Sequence, residues 1–121
     1  MKTLVVGIGN SILSDDSVGI RVAQALKGRF DEQQVAVLET SRNWLDILEL
    51  LARHEKVIII EGIQTREGNA GEVYRVSAAD FGDGAYAISP HHINLGGALR
   101  LGRRLGMAFP QEIVVFAIER W

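Results

Sequence analysis

The stretch Thr3-Leu-Val-Val-Gly-Ile8 is a short, continuous apolar run rich in β-branched residues, and it decides the fold class. Similar runs stand at residues 35–38, 57–60 and 113–118. Continuous runs of this kind are typical of strands that are covered on both faces, as the strands of a parallel sheet are. We therefore predict that these segments form the buried parallel core of the chain.

Segments with helical spacing of apolar residues separate these runs. A further segment, residues 70–76, alternates polar and apolar residues, which is typical of an edge strand and here indicates an antiparallel one. The order predicts an α/β protein with a mostly parallel sheet of about five strands, one antiparallel edge strand, helices on both faces and right-handed crossovers. The apolar stripes predicted to face the sheet are Val18, Val22, Ala25 and Leu26; Trp44, Ile47, Leu48 and Leu51; and Leu95, Ala98, Leu99 and Leu105.

Length and composition restrict the class of protein. A chain of 121 residues with 47% hydrophobic content can bury one core, so we predict a single domain over residues 1–121. The 13 Lys and Arg nearly balance the 15 Asp and Glu, which argues against nucleic acid or an anionic membrane as a partner. The absence of cysteine excludes thiolate metal ligands and a cysteine nucleophile. The first apolar run is too short to span a bilayer and lacks a signal-peptide cleavage pattern, so we expect a cytoplasmic protein.

Acidic residues follow each of the four predicted parallel strands. Asp15 and Asp16 come after the first, and Glu39, Glu61 and Glu119 end the other three. Ligands of open α/β sheets bind outside the carboxyl ends of the strands, where the strand order reverses. Acids gathered there repel one another, so we expect either that several are solvated or that a cation lies among them. If the second and third strands flank the first, Asp16 and Glu61 face each other across this crevice.

His91 is the third candidate for this site. It follows Ser89-Pro90, which is typical of an N-cap and first-turn proline, so we predict that it lies in the first turn of a helix. The positive end of the helix dipole disfavours the imidazolium form and keeps the ring neutral, as a metal ligand must be. Asp16, Glu61 and His91 together form a mixed oxygen and nitrogen donor set that suits Ni, Zn, Mn or Fe.

Each candidate also has a structural interpretation that the sequence leaves open. Asp15 or Asp16 could cap the following helix, Glu39 and Glu61 could be solvated strand ends, and His91 could be a structural histidine. The basic residues Arg100, Arg103 and Arg104 share one helix face, and a solvated face is favoured there over the docking of an acidic partner.

A nucleotide site is the alternative suggested by the glycine-rich start. Gly7 and Gly9 open like a dinucleotide fingerprint, but its third glycine position falls on Ile12. Asp15 and Asp16 would stand where a pyrophosphate binds, and two carboxylates repel that group. We therefore favour a metal site over a nucleotide site.

The segment Leu4-Val-Val-Gly-Ile-Gly-Asn-Ser-Ile-Leu-Ser-Asp-Asp-Ser-Val-Gly19 resembles the opening signature of the hydrogenase maturation proteases, the nickel-dependent endopeptidases that trim the large subunit of nickel–iron hydrogenases. The similarity continues in order along essentially the whole chain. Its later blocks are Glu39, Ile58-Ile-Ile-Glu-Gly-Ile63, Asn69-Ala-Gly71 and Ile88-Ser-Pro-His91.

The resemblance implies a three-layer α/β/α sandwich and metal-contacting roles for Asp16, Glu61 and His91. It implies a hydrolase that removes a C-terminal extension from a hydrogenase large-subunit precursor, using the nickel already loaded into that precursor as the recognition element. The nickel would then be supplied by the substrate, although the isolated protein could hold another divalent metal. Such an aspartic or metal-assisted peptidase would polarise the scissile carbonyl or a water, with a carboxylate as general base.

Two features depart from the family pattern. The family usually has Asp where this chain has Glu61, whose arm is longer by one methylene. Members also usually continue past the last strand into a covering helix, whereas this chain stops at Trp121. From the second departure we expect an exposed apolar sheet face and hence a monomer or a dimer formed through that face, or else a truncated sequence. Both departures keep open an alternative function, a non-catalytic module that binds the nickel-loaded precursor without cutting it.

Overall fold

The computed structural model describes residues 3–9, 17–41, 44–65, 67–77 and 95–120. Their elements alternate as the sequence predicts, and the bounds of several strands extend beyond the apolar runs. In chain order they are β1 (Thr3–Ile8), α1 (Val18–Leu26), β2 (Val35–Thr40), α2 (Trp44–Leu51), β3 (Lys56–Ile63), β4 (Val73–Ser77), α3 (Leu95–Arg104) and β5 (Glu112–Glu119).

The sheet has five strands in the order β2-β1-β3-β5-β4. The pairs β1–β2, β1–β3 and β3–β5 are parallel, and β4 pairs with β5 in the antiparallel sense. The prediction of a mostly parallel α/β sheet with an antiparallel edge strand is therefore confirmed. The strand order reverses at β1, because β2 and β3 lie on its two sides, so the switch point lies between β1 and β3 as expected.

Alternate residues of the strands face opposite layers of helices. Leu4, Val6 and Ile8 of β1 face the layer that contains α2 and α3, where most of the core lies. The residues buried in that layer are Leu4, Val6, Ile8, Ile47, Leu48, Leu51, Val57, Ile59, Leu99, Ile113 and Val115. The predicted inward positions Ile47, Leu48, Leu51 and Leu99 are thereby confirmed.

On the opposite face, α1 contacts β1, β2 and β3 through a side that overlaps the predicted stripe only in part. Its buried residues are Gly19, Ile20 and Ala23. The predicted stripe was partly right, since Val18, Val22 and Leu26 are half-buried, but Ala25 is exposed. The most closely packed residues are smaller ones, because a Cβ on Gly7 would collide with the Gly19 carbonyl oxygen and with Ala23. Small residues let this helix lie directly on the strand, and hydrophobicity alone does not reveal such a contact.

Leu105 was also predicted to face the core, and it is 66% exposed. The helix α3 ends at Arg104, and Leu105 belongs to the turn that follows, in which Gly106 has a φ of 74°. Buried Gly102 continues the packed side instead, and a Cβ there would collide with the ring of Phe109.

None of the helices in the described ranges combines the length and apolarity needed to cross a membrane.

Candidate active site at the carboxyl edge of the sheet

Glu61 lies near the carboxyl end of β3, in the middle of the sheet. It stands in register with Ile8 of β1 and with Ala117 of β5, and it shares the face of Ile59. Its residue exposure is 1%, so a carboxyl group is enclosed at the switch point. Enclosing an ionised carboxylate is costly unless protein groups or a cation compensate its charge, so this position demands such a partner.

The start of α1 covers the other face of the same edge. A Cβ on Gly19 would collide with the backbone carbonyl oxygens of Ile8 and Ile60, so this helix begins directly over β1 and β3. Ser17 occupies the N-cap position and is 5% exposed. The alternative interpretation, in which Asp15 or Asp16 is the N-cap of this helix, is therefore wrong.

Asp16 and His91 both lie outside the described residues, so their predicted geometry with Glu61 stays a prediction. The same holds for the helix start predicted at Ser89-Pro90. No group of three or more His, Asp or Glu residues suited to a metal occurs among the residues that the structure describes. That result leaves the proposed set open, because only Glu61 of its members belongs to the described part.

The first described turn of α3 begins at Leu95 on the sheet face that Glu61 shares. This helix leads into β5, and a helix that precedes a parallel strand runs back across the sheet from its carboxyl edge. The described start of α3, at Leu95, therefore lies toward the edge that holds Glu61.

Glu39, near the end of β2, has the solvated environment that its structural interpretation predicts. Its Oε2 lies 3.4 Å from Nζ of Lys27, and the two side chains are 33% and 46% exposed. An exposed pair of this kind contributes about 0.2 to 1 kcal/mol to stability. Lys27 therefore moderates the charge of Glu39 without enclosing it.

Glu119, at the end of β5, is as enclosed as Glu61, with 3% exposure. Its Oε2 accepts a hydrogen bond from the Thr65 backbone N–H at 3.2 Å, and its Oε1 accepts one from the Thr65 hydroxyl. The Tyr74 hydroxyl lies 3.4 Å from Oε1. The chain thus supplies its own donors to this carboxylate, and a cation is not needed to explain its burial.

These contacts shift two pKa values. The hydrogen bond from the Thr65 hydroxyl lowers the pKa of Glu119, and partial desolvation opposes this only in part. Desolvation, followed by the charges of Glu72 and Glu119, raises the pKa of Tyr74. Near neutral pH the pair is therefore a carboxylate facing a neutral phenol, which is the combination in which the phenol can donate.

The contacts of Glu119 with Thr65 and Tyr74 are the part of this edge that sequence reasoning missed. Tyr74 and Glu119 meet because Tyr74 is in register with Ala117 in the antiparallel β4–β5 pair. A one-residue slip of that register would turn Tyr74 to the other face. The sequence gives only a weak signal for these contacts, namely Tyr74 inside the alternating segment 70–76 and Glu119 directly after the apolar run 113–118.

Comparison with known proteins adds a separate finding to this geometry. The sequence model of the hydrogenase maturation protease family, HycI, matches residues 20–120. The chain belongs to the hydrogenase maturation protease family. The resemblance stated from the signature segments is thereby confirmed, and a peptidase is the class of enzyme that the family supports.

Individual members of the hydrogenase maturation protease family agree with this assignment. Hydrogenase 2 maturation protease of Escherichia coli is 26% identical over 120 residues, which span 98% of this chain and 73% of the relative. The structure of the hydrogenase maturating endopeptidase HybD from Escherichia coli matches with a TM-score of 0.73 at 25% identity, covering 98% of this chain and 74% of that one. HycI from Thermococcus kodakarensis shares the fold, with a TM-score of 0.71 at 22% identity over 98% and 73% of the two chains.

The glycine-rich start fits a maturation protease better than a nucleotide-binding protein. Gly7 is required by its contact with α1, because a side chain there would collide with Gly19 and Ala23. Close packing of helix on strand thus explains this glycine without a pyrophosphate.

On α3, Arg100, Arg103 and Arg104 are exposed, as expected for a face that does not pack on the sheet.

Proposed function

We propose that this chain is the endopeptidase that removes the C-terminal extension of a nickel-loaded hydrogenase large-subunit precursor. Asp16, Glu61 and His91 are proposed to contact the nickel that the precursor carries, so that the metal acts as the recognition element. The observation that carries the proposal is the enclosure of Glu61 at the switch point of a hydrogenase maturation protease fold.

The chemistry of the donor set supports nickel as the ion recognised. Carboxylate oxygens and a neutral imidazole together suit divalent nickel, although they also suit other transition metals. Glu61 is rigidly held, because its strand pairs on both sides, so its carboxylate can present a fixed oxygen to an ion carried by the substrate. In the isolated protein the same donors could hold another divalent ion.

The proposed reaction is hydrolysis of one peptide bond next to the metal. The bound metal supplies a Lewis acid that polarises the scissile carbonyl or lowers the pKa of a water. A carboxylate of the pair Asp16 and Glu61 accepts the proton of the attacking water, and the proton is then delivered to the departing amine. The enclosed setting of Glu61 strengthens these electrostatic interactions, since little water competes there.

The proposal is tested by incubating the protein with a nickel-loaded large-subunit precursor and measuring the precursor mass. We expect loss of a C-terminal fragment with the wild-type protein and no loss with Asp16→Asn or His91→Ala. Glu112→Gln is a matched control, because Glu112 begins β5 at the opposite edge and pairs with Lys56 at 3.3 Å. An intact precursor after incubation with folded wild-type protein would reject the endopeptidase.

The second candidate is a non-catalytic module that binds the nickel-loaded precursor. It is favoured by the presence of Glu61 where the family usually has Asp, because one more methylene moves the carboxylate by about one bond length, roughly 1.5 Å. This module would form a nickel-dependent complex with the precursor and leave its mass unchanged. Gel filtration of the mixture, with and without nickel loading, separates the two candidates.

The setting of this activity is also a proposal. The partner is the large-subunit precursor, the compartment is the cytoplasm, and the chain acts as a monomer or as a dimer through a sheet face. Light scattering of the purified protein, alone and with precursor, measures the stoichiometry.

A further inference from the structure

Glu119 connects the loop between β3 and β4 to the end of β5 through hydrogen bonds. The described residues of this β3–β4 loop are 64–65 and 67–72. Thr65 donates to the Glu119 carboxylate through both its backbone N–H and its hydroxyl. The Gly68 N–H in turn donates to the Thr65 hydroxyl oxygen at 3.0 Å.

Backbone bonds hold the far end of the same loop. The Gly71 N–H donates to the Glu119 carbonyl oxygen at 2.9 Å, and the Glu119 N–H donates to the Glu72 carbonyl oxygen at 2.8 Å. Asn69 and Glu72 close the turn between these points, since the Asn69 N–H donates to Glu72 Oε1 at 2.6 Å. The loop is thus fixed at both ends by one residue, through its side chain and through its backbone.

The position of this residue links it to Glu61. Glu61 is in register with Ala117, and Glu119 is in register with Ile63, the last residue of β3. The two glutamates therefore lie on the same face of adjacent strands, one same-face position apart, with Cα atoms about 8 Å from each other by strand geometry. Thr65 follows Glu61 by four residues, so holding Thr65 holds the chain as it leaves β3.

We propose that Glu119 is a positioning residue of the peptidase site, whose carboxylate, through Thr65, fixes the end of β3 that carries Glu61. This inference rests on the proposed function of Glu61 in contacting the precursor's nickel. The loop that Glu119 holds is exposed at residues 64, 65, 67 and 69–72, so it forms a wall beside this end of the sheet. A fixed wall keeps the carboxylate of Glu61 aligned when a large substrate docks.

The first test uses the free protein and does not depend on any substrate. Amide hydrogen exchange is compared at residues 60–65 in the wild-type protein, in Glu119→Gln and in Thr65→Val. Faster exchange in both variants is expected, because each removes one of the contacts that hold Thr65. Glu112→Gln, the same change at the other end of β5, is expected to leave this exchange unchanged. Wild-type exchange in both test variants would overturn the proposal.

The second test asks whether Glu119 acts through Glu61. Affinity for the nickel-loaded precursor is measured for wild type, Glu119→Gln, Glu61→Gln and the double variant, at a temperature where all are folded. Positioning predicts that Glu119→Gln weakens binding about tenfold in the presence of Glu61 and less than about twofold in its absence. A general structural loss would weaken both backgrounds equally and overturn the proposal.

The two tests keep this inference separate from the proposed function. If the wild-type protein neither binds nor cuts the precursor, the proposed function fails. Faster exchange in the variants would then still establish the contact between Glu119 and the end of β3. If the wild-type protein cuts the precursor and Glu119→Gln cuts it equally fast, the positioning role fails and the proposed function stands.

Discussion

Glu61 and Glu119 end neighbouring parallel strands on the same face of the sheet, and both are almost fully enclosed. They differ in what surrounds the carboxylate. Glu119 is at the side of the sheet where β4 and its loop supply donors from Thr65 and Tyr74. Glu61 is at the switch point, beside the β1 end that leads toward Asp16. Burial alone therefore does not distinguish the two carboxylates, and the role proposed for Glu61 depends on its place in the strand order.

The first prediction tests whether the charge of Glu61 is required, by means of Glu61→Gln, which keeps the shape of the side chain and removes its charge. We expect precursor cleavage to fall by about 100-fold or more, since the group would no longer bind metal or accept a proton. The mass of the precursor, followed over time, measures the rate. Glu61→Asp restores a shorter carboxylate and is expected to keep most of the activity; loss as large as in Glu61→Gln would show that the length of the arm matters more than the charge.

The second test concerns the other wall of the crevice, at Gly19. A Cβ there would collide with the backbone of Ile8 and Ile60, and backbone cannot move aside cheaply. We expect Gly19→Ala to lower the free energy of unfolding by about 2 kcal/mol, despite the better helix propensity of alanine. Urea unfolding measures the change. Gln24→Ala, an exposed position of the same helix, is the control and should stay within about 0.5 kcal/mol of wild type.

The third prediction uses Gly68→Ala to test the hydrogen bonds around the Glu119 carboxylate. A Cβ at this position would collide with the Glu119 carboxylate and the Thr65 hydroxyl, but these are side-chain atoms that can swing away. The cost is then the weakened hydrogen bonding, about 1 kcal/mol in the free energy of unfolding. Adding Gly68→Ala to Glu119→Ala should cost less, because the obstructing carboxylate is gone and the Thr65 hydroxyl is free to turn away. An equal cost in both backgrounds would place the strain in the loop backbone instead.

The strand pattern and the place of Glu61 could be predicted because both depend on local signals, namely β-branched apolar runs and an acid at the end of one. The packed side of α1 could be predicted only in part, because Gly19 and Ala23 make close contacts by being small, which a hydrophobic stripe does not show. The partners of Glu119 depend on the β4–β5 register, which a single sequence does not fix. Asp16 and His91 lie outside the described residues, so for them the arguments remain those of the sequence: their positions after a strand and at a helix start, and the signature.

The smallest expected effect is a pH dependence that belongs to Glu119. Hydrogen bonding from Thr65 lowers the pKa of this carboxyl in the folded protein, so its contribution to stability is fully present above the usual pKa of a glutamate. That contribution is lost as the pH falls through the lowered, folded-state pKa, because both states are then protonated. We therefore expect the stability difference between wild type and Glu119→Gln, measured by urea unfolding, to shrink on acidification and to be constant near neutral pH. A difference that grows on acidification would mean that burial, rather than the bond from Thr65, dominates at this residue.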